Sequence, residues 1–399
     1  MASRFAKTLT STAAAAVSLT LLAAPAASAQ APAPAPAQDG ASPILIGHRG
    51  AAGTAPENTV AAFKDGRKSG ADFFEIDVQL SSDGVPFLFH DDTPARTTNV
   101  EDVFPDRATD PITSFTWAEL QQLDTGSYFD DQFVGERIPH LDDAAKVATT
   151  KTGVYIEIKS PVNSAGVEQL VADELRTDKT WQRLVAADKV QVLGFDEGSN
   201  RTFAELAPEI ELQQLAGVVP GPAVLASWAT FADSVGTNYR VLTPQNVSDV
   251  KAAGLVLGVY TVNSPEAVQT STDFPIQNAR YLKGAPVFPG SGVEIVDSVN
   301  NPAGDDVQPE TGEHVLLRNT STSTIDVSGY LLRDAANNIL TVGDGYVLAA
   351  GAELRVYTGP GTNSPEAYYN GGTTSLLNNG GESLGLWTPE DKLQDVFAN

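Results

Sequence analysis

Short apolar runs alternate with amphipathic stretches from about residue 43 to residue 284. Runs of a few β-branched, aromatic and aliphatic residues predict strands at 44–46, 73–78, 85–89, 154–158, 190–193, 212–216 and 256–262. Apolar positions at helical spacing predict helices over 59–69, 167–177 and 245–253. This alternation is typical of a parallel α/β sheet covered by helices.

The length of this region favours a TIM-like (β/α)8 barrel, a fold that takes about 250 residues. A doubly wound open sheet is the alternative. A nucleotide-binding version of that sheet is disfavoured, because no glycine-rich phosphate-binding motif follows the first strand. Ser82-Asp83-Gly84 predicts a hairpin turn between the second and third strands.

The pattern changes near residue 290, where Pro289-Gly290-Ser291-Gly292 predicts a linker. Beyond it, strand patterns recur about every 8–12 residues between turn signals such as Asn378-Asn379-Gly380-Gly381. Strands are predicted at 293–296, 314–318, 330–333, 353–357 and 383–387. This spacing is typical of an all-β, immunoglobulin-like sandwich. We therefore predict a barrel over 43–290 and a sandwich over 291–399.

The beginning of the chain reads as a targeting segment. Arg4 and Lys7 precede an apolar run over 13–27, and Ala27-Ser28-Ala29 matches the pattern that signal peptidase cleaves. We predict a signal peptide over 1–29 and a Pro/Ala-rich spacer over 30–42. The run is too short for a transmembrane anchor, which takes about 20 residues. The expected location is therefore extracellular, after secretion by a bacterium.

Composition narrows the possible chemistry. The 399 residues include 50 acidic and 25 basic side chains, four histidines and no cysteine, giving a net charge of −25. The absence of cysteine excludes disulfides, thiolate metal sites and a cysteine nucleophile. The acidic balance argues against a nucleic-acid partner, because phosphate backbones are bound through clustered Lys and Arg.

Polar residues stand at the carboxyl ends of the predicted barrel strands. Glu75 and Asp77 are two apart on one strand, and Glu157 ends the next parallel strand. Residues two apart on a strand share a face. Three carboxylates brought together in this way suit one hard divalent cation, Ca²⁺ or Mg²⁺. Taken singly, a Glu-x-Asp strand is more often solvent-facing, so the prediction depends on the cluster.

Histidines and cations complete the cluster. His48 ends the first strand and His90 follows the hairpin, at the end of the barrel where active sites lie. Two histidines flanking a metal can act as general acid and base. Arg49 and Lys159 would add positive charge for an anionic substrate.

The motifs around these residues resemble those of the glycerophosphodiester phosphodiesterases over about residues 43–284. They are His48-Arg49-Gly50, Pro56-Glu57-Asn58-Thr59, Glu75-Ile76-Asp77-Val78, Ser82-Asp83-Gly84, His90-Asp91, Arg96-Thr97-Thr98 and Glu157-Ile158-Lys159. The resemblance implies a TIM-like barrel that hydrolyses small-molecule glycerophosphodiesters to glycerol phosphate and an alcohol. The nucleophile in such a reaction is either water or the substrate's own glycerol hydroxyl.

The resemblance also implies roles for individual residues. His48 and His90 would be the catalytic pair, Arg49 and Lys159 would bind the phosphate, and a divalent cation would lie on the three carboxylates. Glu57 and Asn58 would lie at the site periphery. Tyr260 would join them there, since Tyr260-Thr261-Val262-Asn263 looks like a W-T-V-N motif of the family with tyrosine replacing tryptophan.

The second half departs from the family pattern. Only residues 264–271 separate the Tyr260–Asn263 motif from Thr272-Asp273-Phe274-Pro275, which resembles the motif that closes the barrel. A helical crossover takes about 10–12 residues. We therefore predict a shortened last β/α unit within 264–284. If the barrel is not closed, the alternative function is that of a degenerate protein, which binds a glycerophosphodiester without hydrolysing it. A phosphodiesterase acting on lysophospholipids or glycerol-phosphate polymers is a further alternative.

Residues 292–399 resemble the lamin tail domain. The resemblance rests on Asn301-Pro302-Ala303-Gly304-Asp305, Glu313–Asn319, Val327-Ser328-Gly329-Tyr330 and Leu332-Arg333-Asp334. It implies a sandwich appended to a secreted hydrolase, with an unidentified cell-surface or extracellular ligand. This region contains 15 acidic and 4 basic residues, a net charge of −11, which disfavours DNA as that ligand.

Overall fold

The computed structural model describes residues 44–263, 271–282, 287–288, 290–334, 338–377 and 383–398. The predicted signal peptide (1–29), the spacer (30–42) and the turn at 378–381 lie outside these residues, as does the segment 264–270. Within the described ranges, no helix has both the length and the apolar character needed to cross a membrane.

A curled parallel sheet forms the first domain. Its strands are β1 (Ile46–Gly47), β2 (Phe73–Leu80), β3 (Pro86–Leu88), β4 (Gly153–Ile158), β5 (Val190–Gly194), β6 (Glu211–Ala216), β7 (Ser234–Asn238), β8 (Val256–Tyr260) and β9 (Ser271–Thr272). Their order is β8-β7-β6-β5-β4-β2-β1-β9, and each of these neighbours pairs in parallel. β3 pairs antiparallel with β2 through the predicted Ser82-Asp83-Gly84 hairpin.

Most helices of this domain cover the outer side of the sheet. The helices are α1 (Val60–Ser69), α2 (Val100–Val103), α3 (Trp117–Leu120), α4 (Leu141–Val147), α5 (Val167–Thr177), α6 (Lys179–Val185), α7 (Glu197–Leu206), α8 (Pro222–Trp228), α9 (Pro244–Ala252) and α10 (Pro275–Leu282). Of these, α2 and α3 pack in a separate apolar cluster with Phe87 and Phe115. Local sequence sets several of the helix ends. The Thr59 side chain caps α1 by accepting from the Ala62 N–H, and Gly70 ends that helix in the left-handed conformation.

The alternation of side chains along β2 sorts the core into two layers. Phe74, Ile76 and Val78 pack under the helices in the main hydrophobic cluster. Phe73 lies on the opposite face, in an interior cluster with Tyr155 of β4. Glu75 and Asp77 share the face of Phe73, so both carboxylates lie inside the barrel and away from bulk solvent.

The last β/α unit is present and short. β9 runs parallel to β1, pairing Ile46 with Ser271 and Gly47 with Thr272, and α10 follows it. Asn263, just beyond β8, accepts hydrogen bonds from the Thr272 hydroxyl (3.0 Å) and the Asp273 N–H (2.9 Å). Within the described ranges, this side chain therefore links the end of β8 to the strand beside β1.

The C-terminal region is a β-sandwich of two four-stranded sheets. Its strands are β10 (Val293–Val299), β11 (His314–Asn319), β12 (Ile325–Asp326), β13 (Leu331–Asp334), β14 (Ile339–Thr341), β15 (Val347–Leu348), β16 (Glu353–Tyr357), β17 (Ala367–Tyr369), β18 (Ser383–Trp387) and β19 (Leu393–Ala398). The sheets β10-β11-β16-β17 and β14-β13-β18-β19 enclose an aliphatic core that includes Val315, Leu332 and Leu386. β12 and β15 form a separate two-stranded sheet beside them.

Candidate active site

Three carboxylates meet inside the barrel, on the neighbouring strands β2 and β4. Glu75, Asp77 and Glu157 are buried, and one oxygen from each lies within 4.8 Å of the others. The strand register explains this, because Asp77 pairs directly with Glu157 and Glu75 lies two residues away on the same face. The carboxylates that the sequence predicted as metal ligands are therefore close together.

The electrostatics of the three carboxylates favour a cation between them. Burial raises the pKa of Glu75 well above its usual value, and the charges of Asp77 and Glu157 raise it further. Among the described residues, Glu75 Oε1 is buried without a hydrogen-bond partner. An oxygen cluster with one unsatisfied ligand atom fits a hard divalent ion such as Ca²⁺ or Mg²⁺.

Arg49 borders this cluster through both its backbone and its side chain. Its backbone has φ +47°, and its N–H donates to Glu75 Oε2 at 2.7 Å. Its guanidinium donates to Glu57 Oε1 at 2.8 Å, and its Nε lies 3.7 Å from Asp77 Oδ2. The Arg49 guanidinium is therefore at the edge of the carboxylate cluster.

Lys159 follows β4 and provides the second cation. Its ammonium donates to Glu157 Oε1 at 3.0 Å and lies 3.7 Å from Asp77 Oδ1. Burial alone would lower the pKa of Lys159, but the charges of Asp77 and Glu157 raise it above its usual value. Lys159 is thus held protonated beside the proposed metal site.

His48 is held by an aspartate from the other end of the barrel domain. The Nδ1 atom of His48 lies 2.7 Å from Asp273 Oδ1, and the His48 N–H donates to the Thr272 carbonyl at 2.8 Å. Burial opposes ionisation of Asp273, but His48 and the Asn263 side chain lower its pKa. The Asp273 carboxylate therefore engages Nδ1 of His48, and Nε2 is the nitrogen on the other side of the ring.

His90 has a similar partner close by in the chain. Its Nδ1 lies 2.7 Å from Asp91 Oδ1, and Arg96 donates to both oxygens of Asp91. The other side of the Arg96 guanidinium donates to Glu57 Oε2 at 2.9 Å and Oε1 at 2.7 Å. Arg96 therefore connects the His90–Asp91 pair to the carboxylate that binds Arg49.

Glu57 and Asn58, expected at the site periphery, are buried within this network. Burial would raise the pKa of Glu57, but Arg49 and Arg96 lower it to about 2. Asn58 adopts φ +53°; its amide donates to Asp77 Oδ2 at 2.7 Å and accepts from the Asp77 N–H at 3.1 Å. Both residues thus fix charged groups of the site.

Tyr260 lies beside the site and not within its ion pairs. Its hydroxyl donates to the Ala216 carbonyl at 2.9 Å, and its ring packs edge-on against Phe195. Burial, with a contribution from the charge of Glu157, raises the pKa of Tyr260 to about 12. The Tyr260 hydroxyl is therefore held neutral, and the side chain lies near Glu157.

Several residues that pair with the predicted site residues have no predicted role of their own. Asp91, Arg96, Asn263 and Asp273 all stood inside family-like motifs. Tyr128, whose hydroxyl accepts the Glu57 N–H at 3.1 Å, stood in none. Their positions inside motifs of the family could have identified the first four as site residues. No motif marks Tyr128, which only the fold brings to the site.

Comparisons with known proteins identify the families of both domains. The model of the glycerophosphoryl diester phosphodiesterase family matches residues 48–283, and the lamin tail domain model matches 286–398. A glycerophosphodiester phosphodiesterase of Caldanaerobacter subterraneus is 33% identical over 57% of this chain and 88% of its own. One from Bacillus subtilis is 29% identical over 58% of this chain and 81% of its own.

A solved structure shares the barrel fold. The Oleispira antarctica phosphodiesterase, determined with the product sn-glycerol-3-phosphate, has a TM-score of 0.52 and 28% identity, covering 60% of this chain and 97% of its own. The family match spans more than half of the chain. The chain therefore belongs to the glycerophosphoryl diester phosphodiesterase family, and it is a hydrolase with a glycerophosphodiester phosphodiesterase barrel and a C-terminal lamin tail domain.

Proposed function

We propose that the protein hydrolyses glycerophosphodiesters in a reaction that depends on one divalent cation and on His48 and His90. The observation that carries the proposal is the pairing of each histidine with an aspartate, at 2.7 Å in both cases, around one buried carboxylate cluster. Such pairing fixes the orientation of an imidazole and leaves its Nε2 atom for proton transfer.

The charges of the site suit a phosphodiester anion. With all three ionised, Glu75, Asp77 and Glu157 contribute three negative charges, and Arg49 and Lys159 contribute two positive ones, a net of −1. A divalent cation on the carboxylates would change this net charge to +1. When bound, the cation would neutralise the phosphate and polarise its oxygens. Arg49 and Lys159 would hold the same anion from its sides.

The protons are moved by the two histidines. One imidazole removes a proton from the attacking hydroxyl as the new oxygen–phosphorus bond forms. The other donates a proton to the alkoxide as the old bond breaks, which releases the alcohol. Attack by water leaves glycerol phosphate, whereas attack by the glycerol hydroxyl leaves a cyclic phosphate that water then opens to glycerol phosphate. The product named in the Oleispira structure, sn-glycerol-3-phosphate, supports this substrate class.

Hydrolysis of glycerophosphocholine tests the proposal. We expect turnover with added Ca²⁺ or Mg²⁺, its loss on chelation and its recovery when the cation is restored. His48→Ala and His90→Ala should each lower kcat by about 10²- to 10⁴-fold, the usual contribution of a general acid or base. His314→Ala is the matched control, because His314 lies in the sandwich, where its ring packs on Tyr357.

Equal rates in the wild type and His48→Ala, insensitive to chelator, would contradict the proposal. Saturable binding of glycerophosphocholine without product would instead indicate the degenerate binding protein. Lysophospholipid and glycerol-phosphate polymer substrates in the same assay separate the remaining substrate classes.

We further propose that the protein acts outside the cell. The support is the sequence pattern of residues 1–29, with its basic start, apolar run and Ala27-Ser28-Ala29 site. The family matches, which end at 283 and begin at 286, support a domain boundary near the predicted position of 290. The sandwich would then carry the barrel to an extracellular ligand.

A further inference from the structure

The sandwich packs against the barrel next to His48. Phe274, directly after Asp273, is buried in one apolar cluster with Trp387 of β18 and Val396 of β19. Only residues 261–270 separate β8 from β9, so this connection is short for a barrel crossover. Trp387 and Val396 of the sandwich thus help to bury Phe274, the residue directly after Asp273, which pairs with His48.

A chain of hydrogen bonds runs from the sandwich to His48. The Asn263 amide nitrogen donates to Ser383 Oγ at 2.9 Å and to Asp273 Oδ2 at 2.6 Å. The other oxygen of Asp273 lies 2.7 Å from His48 Nδ1. Asn263 and Asp273 are both buried, so a displaced hydrogen bond there is not readily replaced by water.

Ser383 accepts the second hydrogen bond that the Asn263 amide nitrogen donates. Asn263 Oδ1 accepts from the Thr272 hydroxyl and the Asp273 N–H, so the amide nitrogen must face the Asp273 carboxylate. One N–H then goes to Asp273 and the other requires a second acceptor, which Ser383 supplies. Without that acceptor the amide is left with an unsatisfied buried donor, and its orientation is less well fixed.

A second contact reaches the other side of the site. The Arg333 guanidinium, from β13 of the sandwich, lies 4.4 Å from the centroid of the Phe129 ring. Phe129 follows Tyr128, whose hydroxyl accepts the Glu57 N–H. Arg333 also lies 5.5 Å from the Trp387 ring, so the two contacts belong to one surface of the sandwich.

We propose that the C-terminal sandwich is a positioning element of the active site, in which Ser383 orients Asn263 and thereby the Asp273 carboxylate that holds His48. This inference rests on the proposed role of His48 and extends it to a residue of another domain. Ser383 does not touch the substrate. The sandwich thus has a function in turnover, in addition to any extracellular ligand that it binds.

The test compares Ser383→Ala with Ser383→Thr in the full-length protein, with glycerophosphocholine as substrate. Ser383→Ala should lower kcat about fivefold, the value of one hydrogen bond expressed in the transition state. KM should change by less than about twofold, because no substrate contact is removed. Ser383→Thr keeps the hydroxyl and should retain wild-type kcat.

The matched control is Ser328→Ala. The Ser328 hydroxyl accepts the N–H groups of Gly345 and Tyr346 inside the sandwich, so its removal weakens that domain at a place other than the interface. We expect Ser328→Ala to lower the melting temperature but not kcat. Equal losses of kcat in Ser383→Ala and Ser328→Ala would contradict positioning, as would an unchanged kcat in Ser383→Ala.

A spectroscopic measurement covers the case in which Ser383→Ala is too unstable to assay. The chain has four histidines, so imidazole protons of ¹⁵N-histidine-labelled protein can be assigned. The Nδ1–H of His48 beside Asp273 should resonate downfield in the wild type and in Ser383→Thr. Loss of that signal in Ser383→Cys, with the other histidines unchanged, supports the proposal, and its retention overturns it. A wild type without turnover would instead count against the proposed function.

Discussion

At the scale of single residues, the site depends on two backbone positions with positive φ. Arg49 (φ +47°) and Asn58 (φ +53°) lie in the left-handed region, which costs a non-glycine residue about 1 kcal/mol or more. Each is held there by the site itself: the Arg49 N–H donates to Glu75, and Asn58 bonds twice to Asp77. The conformation presents the Arg49 guanidinium and the Asn58 amide to the carboxylates.

The first residue-scale prediction concerns Glu75. At neutral pH its charge is unfavourable without a cation, since burial and two neighbouring carboxylates raise its pKa. Glu75→Gln should therefore melt at the same or a higher temperature than the wild type in chelator. With Ca²⁺ or Mg²⁺ at about 100 times the dissociation constant, the wild type should gain about 2.7 kcal/mol, and the variant should lose most of that gain.

Thermal melting in matched ionic strength measures this crossover. Glu209→Gln is the control, because Glu209 is an exposed carboxylate paired with Arg176 on the barrel surface. It should keep the full response to the cation. Equal stabilisation of the wild type and Glu75→Gln by the divalent cation would indicate general screening of the acidic chain, and the metal site would be rejected.

Sequence reasoning reached the charged residues of the site more readily than their partners. Glu75, Asp77 and Glu157 follow from strand periodicity, because register alone brings them together. The His48–Asp273 pair joins residues 225 positions apart, and no local pattern encodes that contact. Tyr128 reaches Glu57 across 71 positions for the same reason. Long-range pairs of this kind require the fold.

At the scale of elements, prediction was best where local signals agreed. Predicted strands 353–357 and 383–387 coincide with β16 and β18, and the predicted helix 167–177 coincides with α5. β7 was missed, because Ser234–Asn238 contains one aliphatic residue, Val235, and a buried threonine. Its strand conformation comes from pairing on both sides with β6 and β8, which its own sequence does not specify.

The element-scale prediction concerns the link between the two sheets of the sandwich. Asp395 of β19 accepts the Ile295 N–H of β10 at 2.8 Å. Burial raises the pKa of Asp395 to about 6, although that N–H lowers it. A carboxyl group whose folded pKa is raised binds its proton more tightly when folded, so it favours folding at low pH. That contribution is lost as the pH rises from about 4 to about 6.

Asp395→Asn keeps an acceptor for the Ile295 N–H and removes the charge. At pH 7.5 we expect the variant to be more stable than the wild type by about 1 kcal/mol, and its stability to vary less between pH 4 and 6. Urea unfolding across this pH range is the measurement. Asp344→Asn, at an exposed carboxylate of the same domain, is the control. A variant less stable than the wild type at pH 7.5 would contradict the argument.

At the scale of the whole molecule, the two domains share buried surface at the functional end of the barrel. The apolar cluster of Phe274, Trp387 and Val396 and the Arg333–Phe129 contact both join sandwich to barrel. The sequence predicted the two domains and the short connection near residue 264 but not this contact. Apolar periodicity along the chain identifies the core of each domain. The small interface between the domains involves only isolated apolar residues, which produce no periodic pattern in the sequence.

This shared surface predicts coupled unfolding. Because Phe274 belongs to the barrel and packs with Trp387 of the sandwich, loss of either domain exposes the side chain of the other. We expect the wild type to give a single calorimetric transition. Phe274→Ala should lower the free energy of unfolding by about 3 kcal/mol and separate the transition into two. Phe203→Ala, in the helix-side core, should lower the temperature of the single transition without splitting that transition into two. The contrary result is a wild type with two independent transitions, of which Phe274→Ala shifts only one. The interface would then not couple the unfolding of the two domains, and the physical basis for a positioning role of Ser383 would be removed.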